Sequence, residues 1–148
     1  MTPTIPPFAD IVVADLLPQR PPFVLADALL HCDAAETRTR LEVRADNVFV
    51  GSDGRMRAAG LIEVMAQCSA ARTGFLCKYV WHRPVGIGYI GAVTGLRVAR
   101  EPAVGEVLEV RLRVVAEVGA LQQAEATVTS AGQVLASATL KVAIDEPR

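Results

Sequence analysis

The chain has 148 residues, 51% of them apolar and 21% charged, with a formal net charge of −1. This is the length of one ordinary domain with one core, and the composition excludes a disordered chain. The near-zero charge, with no basic run interleaved with aromatics, excludes a general affinity for nucleic acid.

Aromatic residues make up only 5%, so the core must be built from Val, Leu, Ile and Ala. The mean hydropathy of +0.33 is high for a soluble domain. No stretch approaches the ~20 consecutive apolar residues of a membrane span. The excess therefore points to apolar surface buried between subunits. Cys32, Cys68 and Cys77 are odd in number and lack metal-ligand spacing. They read as reduced thiols of a cytoplasmic protein. The opening residues lack a basic region followed by an apolar run, so no secretory signal is expected.

Residues 1–9 form a Pro-rich arm. Asp10 is placed to cap a short helix over Ile11 to Leu17, which Pro18 ends. Phe23 to Leu30 is short and apolar, and reads as a first strand. From Glu36 to Ala45, Thr37, Thr39, Leu41 and Val43 alternate with charges, as in a half-exposed strand. Gly51 to Arg55 is rich in turn residues.

Ala58 to Thr73 contains no Pro and is dominated by helix formers. At about 100° per residue, Leu61, Ile62, Val64, Met65, Ala66 and Cys68 cover nearly the whole circumference. Only Glu63 and Gln67 make a polar stripe, which predicts a buried helix. Arg72 sits near its end, where a cation complements the dipole, and Gly74 is a plausible stop.

The remainder reads as strand: Val85 to Ala99, Val107 to Val115, Leu121 to Thr129 and Gln133 to Val142. In the last of these Val134, Ala136, Ala138, Leu140 and Val142 are expected on one face. A single buried helix among antiparallel strands is α+β. One sheet wrapped around one long central helix is the hot-dog fold, and a single such domain is expected over 1–148.

Leu17-Pro18-Gln19-Arg20-Pro21-Pro22-Phe23 followed by Asp27 resembles the L-P-H-R-x-P-F/M-x-x-x-D opening of bacterial 3-hydroxyacyl-[acyl-carrier-protein] dehydratases. Asn47-x-Phe49 resembles the segment before their active-site loop. Leu61-Ile62-Glu63-Val64-Met65-Ala66-Gln67 is similar to their I-E-x-M-A-Q helix. Pro84 to Gly95, Pro102-x-x-Gly105-x-x-Leu108 and Gly132-x-Val134-Leu135-Ala136 resemble their later strands. The H-F-P-G-x-P-x-x-P-G stretch that carries the family's catalytic histidine is replaced by Val50 to Gly60, which has no His and no Pro. With its D-G-R loop, the chain resembles the divergent ApeP-like dehydratases found beside aryl-polyene pigment synthases.

The resemblance implies elimination of water from a 3-hydroxyacyl thioester carried by an acyl carrier protein, with no cofactor. The chemistry needs a base, an acid for the departing hydroxyl, and a positive site for the developing enolate. Glu63 is the candidate acid, and its apolar neighbours suggest a dry setting. The helix N-terminus supplies N–H groups near Ala59, Gly60 and Leu61, the candidate substrate-binding residues. Gly60 would allow close approach of the thioester. Gln67, a further candidate substrate-binding residue, would orient Glu63, hydrogen-bond the loop, or serve as a satisfied structural amide. His31 and His82 are not at the family's position for the base. Asp53, or a water held by the short loop, could substitute.

Gly86 to Thr94 carries no charge, and a charge-free edge strand invites pairing with another chain. Pairing with its own copy would make a homodimer with residues of both subunits around each site, and Tyr89 on this strand is the candidate substrate-binding residue. The missing histidine raises a second arrangement, a non-catalytic subunit beside an active dehydratase. A hot-dog thioesterase is a third. Arg55, Arg57, Arg72, Lys78, Arg97 and Arg100 are candidates for a basic patch that docks the acidic carrier.

Overall fold

The computed structural model describes residues 4–144, so three residues of the Pro-rich arm lie outside the described range. Two 3₁₀ turns, Phe8–Asp10 and Val13–Leu16, precede β1 (Ala28–Cys32) and β2 (Glu36–Glu42). The long helix α1 (Ala58–Phe75) runs into a π-helical turn, Leu76–Val80. Four strands follow: β3 (Gly88–Val98), β4 (Val107–Val118), β5 (Leu121–Ser130) and β6 (Gln133–Ile144). They form one six-stranded sheet in the order β1-β2-β4-β5-β6-β3, antiparallel throughout. Five of its strands contact α1. This is the predicted arrangement of one sheet around one helix. Among the described residues no helix is long and apolar enough to cross a membrane.

Alternation decides the sheet. Thr37, Thr39 and Leu41 of β2 and Leu108, Val110 and Leu112 of β4 are buried, while Arg111 and Arg113 point to solvent. Leu61, Val64, Met65 and Cys68 of α1 complete that core. Dry packing of this kind contributes roughly 1.5–3 kcal/mol per large side chain.

Four expectations need correction, each for a tertiary reason. The helix expected at 11–17 is a single 3₁₀ turn, Val13–Leu16, and Asp10 belongs to the turn before it, Phe8–Asp10, without capping a helix. The first strand begins at Ala28, because the Leu25 and Ala26 N–H groups donate to the side chain of Gln67 instead of to a strand. Opposite Val128 and Thr129 of β5, β6 carries one extra residue, Leu135, and this bulge turns Leu135 inward, 1% exposed, and leaves Val134 outward, 56% exposed.

The fourth concerns Gly74, which does not stop the helix but lies inside it. A Cβ there would sit 2.3 Å from the Leu16 carbonyl oxygen, so the glycine lets the helix press against the second 3₁₀ turn. Gly74→Ala is therefore expected to lower the melting temperature, although Ala is intrinsically the better helix former by about 1 kcal/mol. A melt at or above wild type would mean that the Leu16 segment simply moves aside.

Candidate active site

The N-terminal turn of α1 is arranged by a residue far away in sequence. Arg57, at the N-cap, makes no side-chain cap, and the Ala58 N–H donates instead to Glu101 Oε2 at 2.8 Å. A carboxylate is the favourable charge at this pole of the helix. The Gly60 and Leu61 N–H groups both turn back to the Arg57 carbonyl, at 2.8 and 3.4 Å. The Ala59 N–H has no acceptor among the described residues. Of the three predicted backbone donors, Ala59 is the one left for a ligand.

The side chains agree with that narrowing. Ala59 is exposed and Leu61 is fully buried in the core. A Cβ on Gly60 would lie 2.7 Å from both Phe49 Cβ and Met56 Cγ. Packing against the preceding loop by itself requires glycine at this position.

Helix α1 is not buried all round. Ala59, Ile62, Glu63, Ala66 and Ala70 form a line along it that the sheet leaves partly open. Glu63 stands on this line one turn beyond Ala59. It is half-buried rather than dry, and its Oε1 accepts from Gln67 Nε2 at 2.9 Å.

Gln67 is fully buried and fully used. Its Oε1 accepts from Leu25 N–H at 2.8 Å and Ala26 N–H at 3.1 Å, and its Nε2 also donates to the Phe23 carbonyl at 2.6 Å. These partners leave one possible amide orientation. Gln67 thus pins residues 23–26 to the helix and holds the Glu63 carboxylate through one hydrogen bond.

The loop before the helix is stapled to the β3–β4 connection. Met56 N–H donates to Pro102 O at 2.8 Å, and Val104 N–H to Gly54 O at 2.9 Å. Asp53 is exposed and pairs with Arg57 at 3.1 Å. The Arg57 hydrogen bond, helped by the Arg55 N–H, holds its carboxyl below the usual range. A carboxylate stabilised this way is a poor base. Glu106 is held at about 2, chiefly by its hydrogen bonds from Arg100.

Three of the six candidate basic-patch residues gather near the N-terminal end of α1, each with an acceptor, and two of the others lie elsewhere. Arg57 pairs with Asp53 and Glu101, Arg100 with Glu106, and Arg55 donates to the Glu101 carbonyl. Arg72 is buried, donating to the carbonyls of Asp33 and Ala34 and to Thr37. Lys78 lies on the π-helical turn beyond the opposite end of the helix. Arg97 is on β3.

Tyr89 is 56% exposed and pairs directly with Ala143. Its neighbours in register, Ile90 and Val93, oppose the buried Val142 and Leu140 and so share the helix side of the sheet. Tyr89 therefore points to the outer face, away from α1. The three cysteines are free and buried, and burial raises the Cys32 thiol and pushes Cys68 to about 12, which disfavours the nucleophilic thiolate at those two positions. Glu101 is the site residue that sequence reasoning missed. It lies 43 positions from the amide it caps, and no local pattern announces such a contact.

One antiparallel six-stranded sheet around one long helix defines a hot-dog-fold protein. The chain belongs to the ApeP-like family, described as ApeP dehydratase, which it matches over residues 11–147. Among solved structures it is similar to the dehydratase heterocomplex ApeI:P from Xenorhabdus doucetiae, with a TM-score of 0.86 at 20% identity over 92% of both chains. A hypothetical thioesterase from Streptococcus pneumoniae TIGR4, solved with coenzyme A, aligns at a TM-score of 0.65 and 13% identity, covering 81% of this chain and 86% of that one. The TT0310 protein from Thermus thermophilus aligns at 0.65 and 21%, covering 84% and 98%. No curated protein sequence matches the chain significantly.

Proposed function

We propose that this chain eliminates water from a 3-hydroxyacyl thioester to give a trans-2-enoyl thioester, in specialised fatty-acid or polyene pigment synthesis. The observation that carries the reading is the Glu63 carboxylate, fixed by Gln67 on the open line of α1 one turn beyond the free Ala59 N–H. The Ala59 amide donates to the thioester oxygen as it gains enolate charge, and Glu63 protonates the hydroxyl that leaves. The fold holds the acyl group along the line of Ala66 and Ala70, and an acyl carrier protein delivers it.

The site is completed by a second hot-dog subunit across β3. This strand is one of the two edges of the sheet, and its helix-side residues Ile90 and Val98 remain exposed in the protomer. Its own copy fits there, since the central segment carries no charge. The likeness to a chain of the dehydratase heterocomplex ApeI:P supports pairing with another chain, and a different dehydratase is the alternative occupant of this edge.

Incubation with 3-hydroxyoctanoyl-N-acetylcysteamine is expected to yield the enoyl thioester from a protein that sediments as a dimer at micromolar concentration. Release of free acid would mean a thioesterase. A monomer would remove the paired arrangement. No product alone, but product on adding a second hot-dog dehydratase, would place the chain as a supporting subunit.

A further inference from the structure

The proposed elimination requires the thioester oxygen to reach the Ala59 N–H while the leaving hydroxyl reaches Glu63. The first turn of a helix carries several N–H groups without helical partners, and an oxygen could settle on any of them. In α1 Gly60 and Leu61 turn back to the Arg57 carbonyl, and Ala58 donates to Glu101. Of these contacts only the last is made by a side chain, and that side chain comes from another element.

Glu101 lies on the β3–β4 connection, which is fixed without help from its carboxylate. Arg100 grips Glu106 through two bonds of 2.8 and 2.7 Å. Glu106 also accepts from the Ala103 N–H at 2.6 Å and from Ser130 Oγ at 3.1 Å. The Ala99 N–H donates to Leu135 O at 2.7 Å. The Met56 and Val104 N–H bonds tie the same connection to the loop before α1. The Glu101 carbonyl itself accepts from Arg55 Nη1 at 2.9 Å. A rigid frame therefore brings this carboxylate to the helix.

Its charge is balanced where it sits. Glu101 Oε1 accepts from Arg57 Nη1 at 3.2 Å, and Arg57 also holds both oxygens of Asp53 at 3.1 Å. A Cβ on Gly51 would collide with the Arg57 guanidinium, so glycine there makes room for that side chain. With Asp53 as a second partner, Arg57 keeps its place if Glu101 is removed. Beside the free amide an unpaired carboxylate would oppose enolate charge, whereas one paired to Arg57 opposes it far less.

We propose that Glu101 is a positioning residue for this reaction: by occupying the Ala58 N–H it reserves Ala59 as the amide for the thioester oxygen, and so sets the register in which C3 meets Glu63. The proposal rests on the dehydratase reading above. Were Ala58 also free, the oxygen would gain a second donor one residue back. The acyl group would then bind out of step, with its hydroxyl away from Glu63, and a small misplacement of reacting atoms is enough to stop the chemistry. A misplaced mode competes with the productive one for the same site. It therefore lowers kcat and KM together and leaves kcat/KM near wild type.

Glu101→Ala and Glu101→Gln test this, with kcat and KM measured on 3-hydroxyoctanoyl-N-acetylcysteamine and amide exchange followed by NMR. Glu101→Ala is expected to lower both constants by about 2–10-fold, the worth of one further hydrogen bond. Exchange at the Ala58 amide should speed up. Glu101→Gln keeps an acceptor oxygen for Ala58 and should restore both constants and the slow exchange. Glu101→Leu, which also lacks an acceptor, replaces Glu101→Ala should that protein misfold. Wild-type constants in a folded Glu101→Ala protein overturn the proposal. A fall in kcat at fixed KM does so too, because that is the pattern of lost folded protein. Equal losses in the Ala and Gln variants would mean that the charge acts, not the acceptor, and would also overturn it. Unchanged exchange at Ala58 in Glu101→Ala removes the contact itself. A wild-type protein that makes no enoyl product overturns the dehydratase reading, and this proposal with it, while exchange at Ala58 still reports whether Glu101 holds that amide.

Discussion

A Glu63→Gln protein is expected to fold like the wild type and to turn over about 10²–10⁴-fold more slowly, the usual worth of a positioned acid or base. The substitution is conservative in this structure because Gln at position 63 keeps an oxygen for the Gln67 Nε2 donor, now at 2.9 Å from the carboxylate. What disappears is the proton that the departing hydroxyl needs. A thermal melt and kcat measured on the same preparation separate the alternatives. A merely solvated Glu63 leaves both near wild type. A purely structural Glu63 lowers the melting temperature, and activity falls only as folded protein is lost. Wild-type dehydration by a well-folded variant would remove Glu63 from the mechanism.

The residues whose behaviour was legible in the sequence are those whose partners lie nearby or follow a simple period. The alternation in β2 and β4 reports its own burial, because one face of each strand is dry. Glu63 and Gln67 stand four apart on a helix, so their meeting follows from the spacing alone. The features that escaped depend on contacts across the fold. Gly74 reads as a stop by propensity, but the close approach of Leu16 is what demands a glycine. Phe23 to Ala26 has strand composition, yet its N–H groups answer to a side chain 41 and 42 positions away. Arg72 reads as a surface cation at a helix end, but the β1–β2 turn folds over it and supplies carbonyl acceptors. The identity of the free amide could not be read at all, since it depends on which neighbour Glu101 reaches.

Replacing Gln67 by Leu is expected to be the most damaging single change near the site. Leu fills similar volume but offers no hydrogen bonds. It would leave the buried Leu25 and Ala26 N–H groups without acceptors and the Phe23 carbonyl without its donor. An orphaned buried group costs about 1–3 kcal/mol, and a domain of this size has only about 5–15 kcal/mol to lose. The expected results are a clear fall in the urea midpoint and faster hydrogen exchange at the Leu25 and Ala26 amides. Turnover per folded molecule should also drop, because Glu63 loses its anchor. Gln67→Glu separates the two functions of the amide. A carboxylate can still accept from both N–H groups, but it cannot donate to the Phe23 carbonyl, and it faces Glu63. Only its protonated form restores a donor, so burial and the facing acceptors raise its pKa in the folded state. Stability contributed by a group with a raised folded pKa is present in acid and is lost as pH rises. Gln67→Glu should therefore lose less stability relative to wild type in mildly acidic buffer than in alkaline buffer. Equal losses at both, or unchanged exchange at Leu25 and Ala26 in Gln67→Leu, would mean that this clamp is not what holds the segment to the helix.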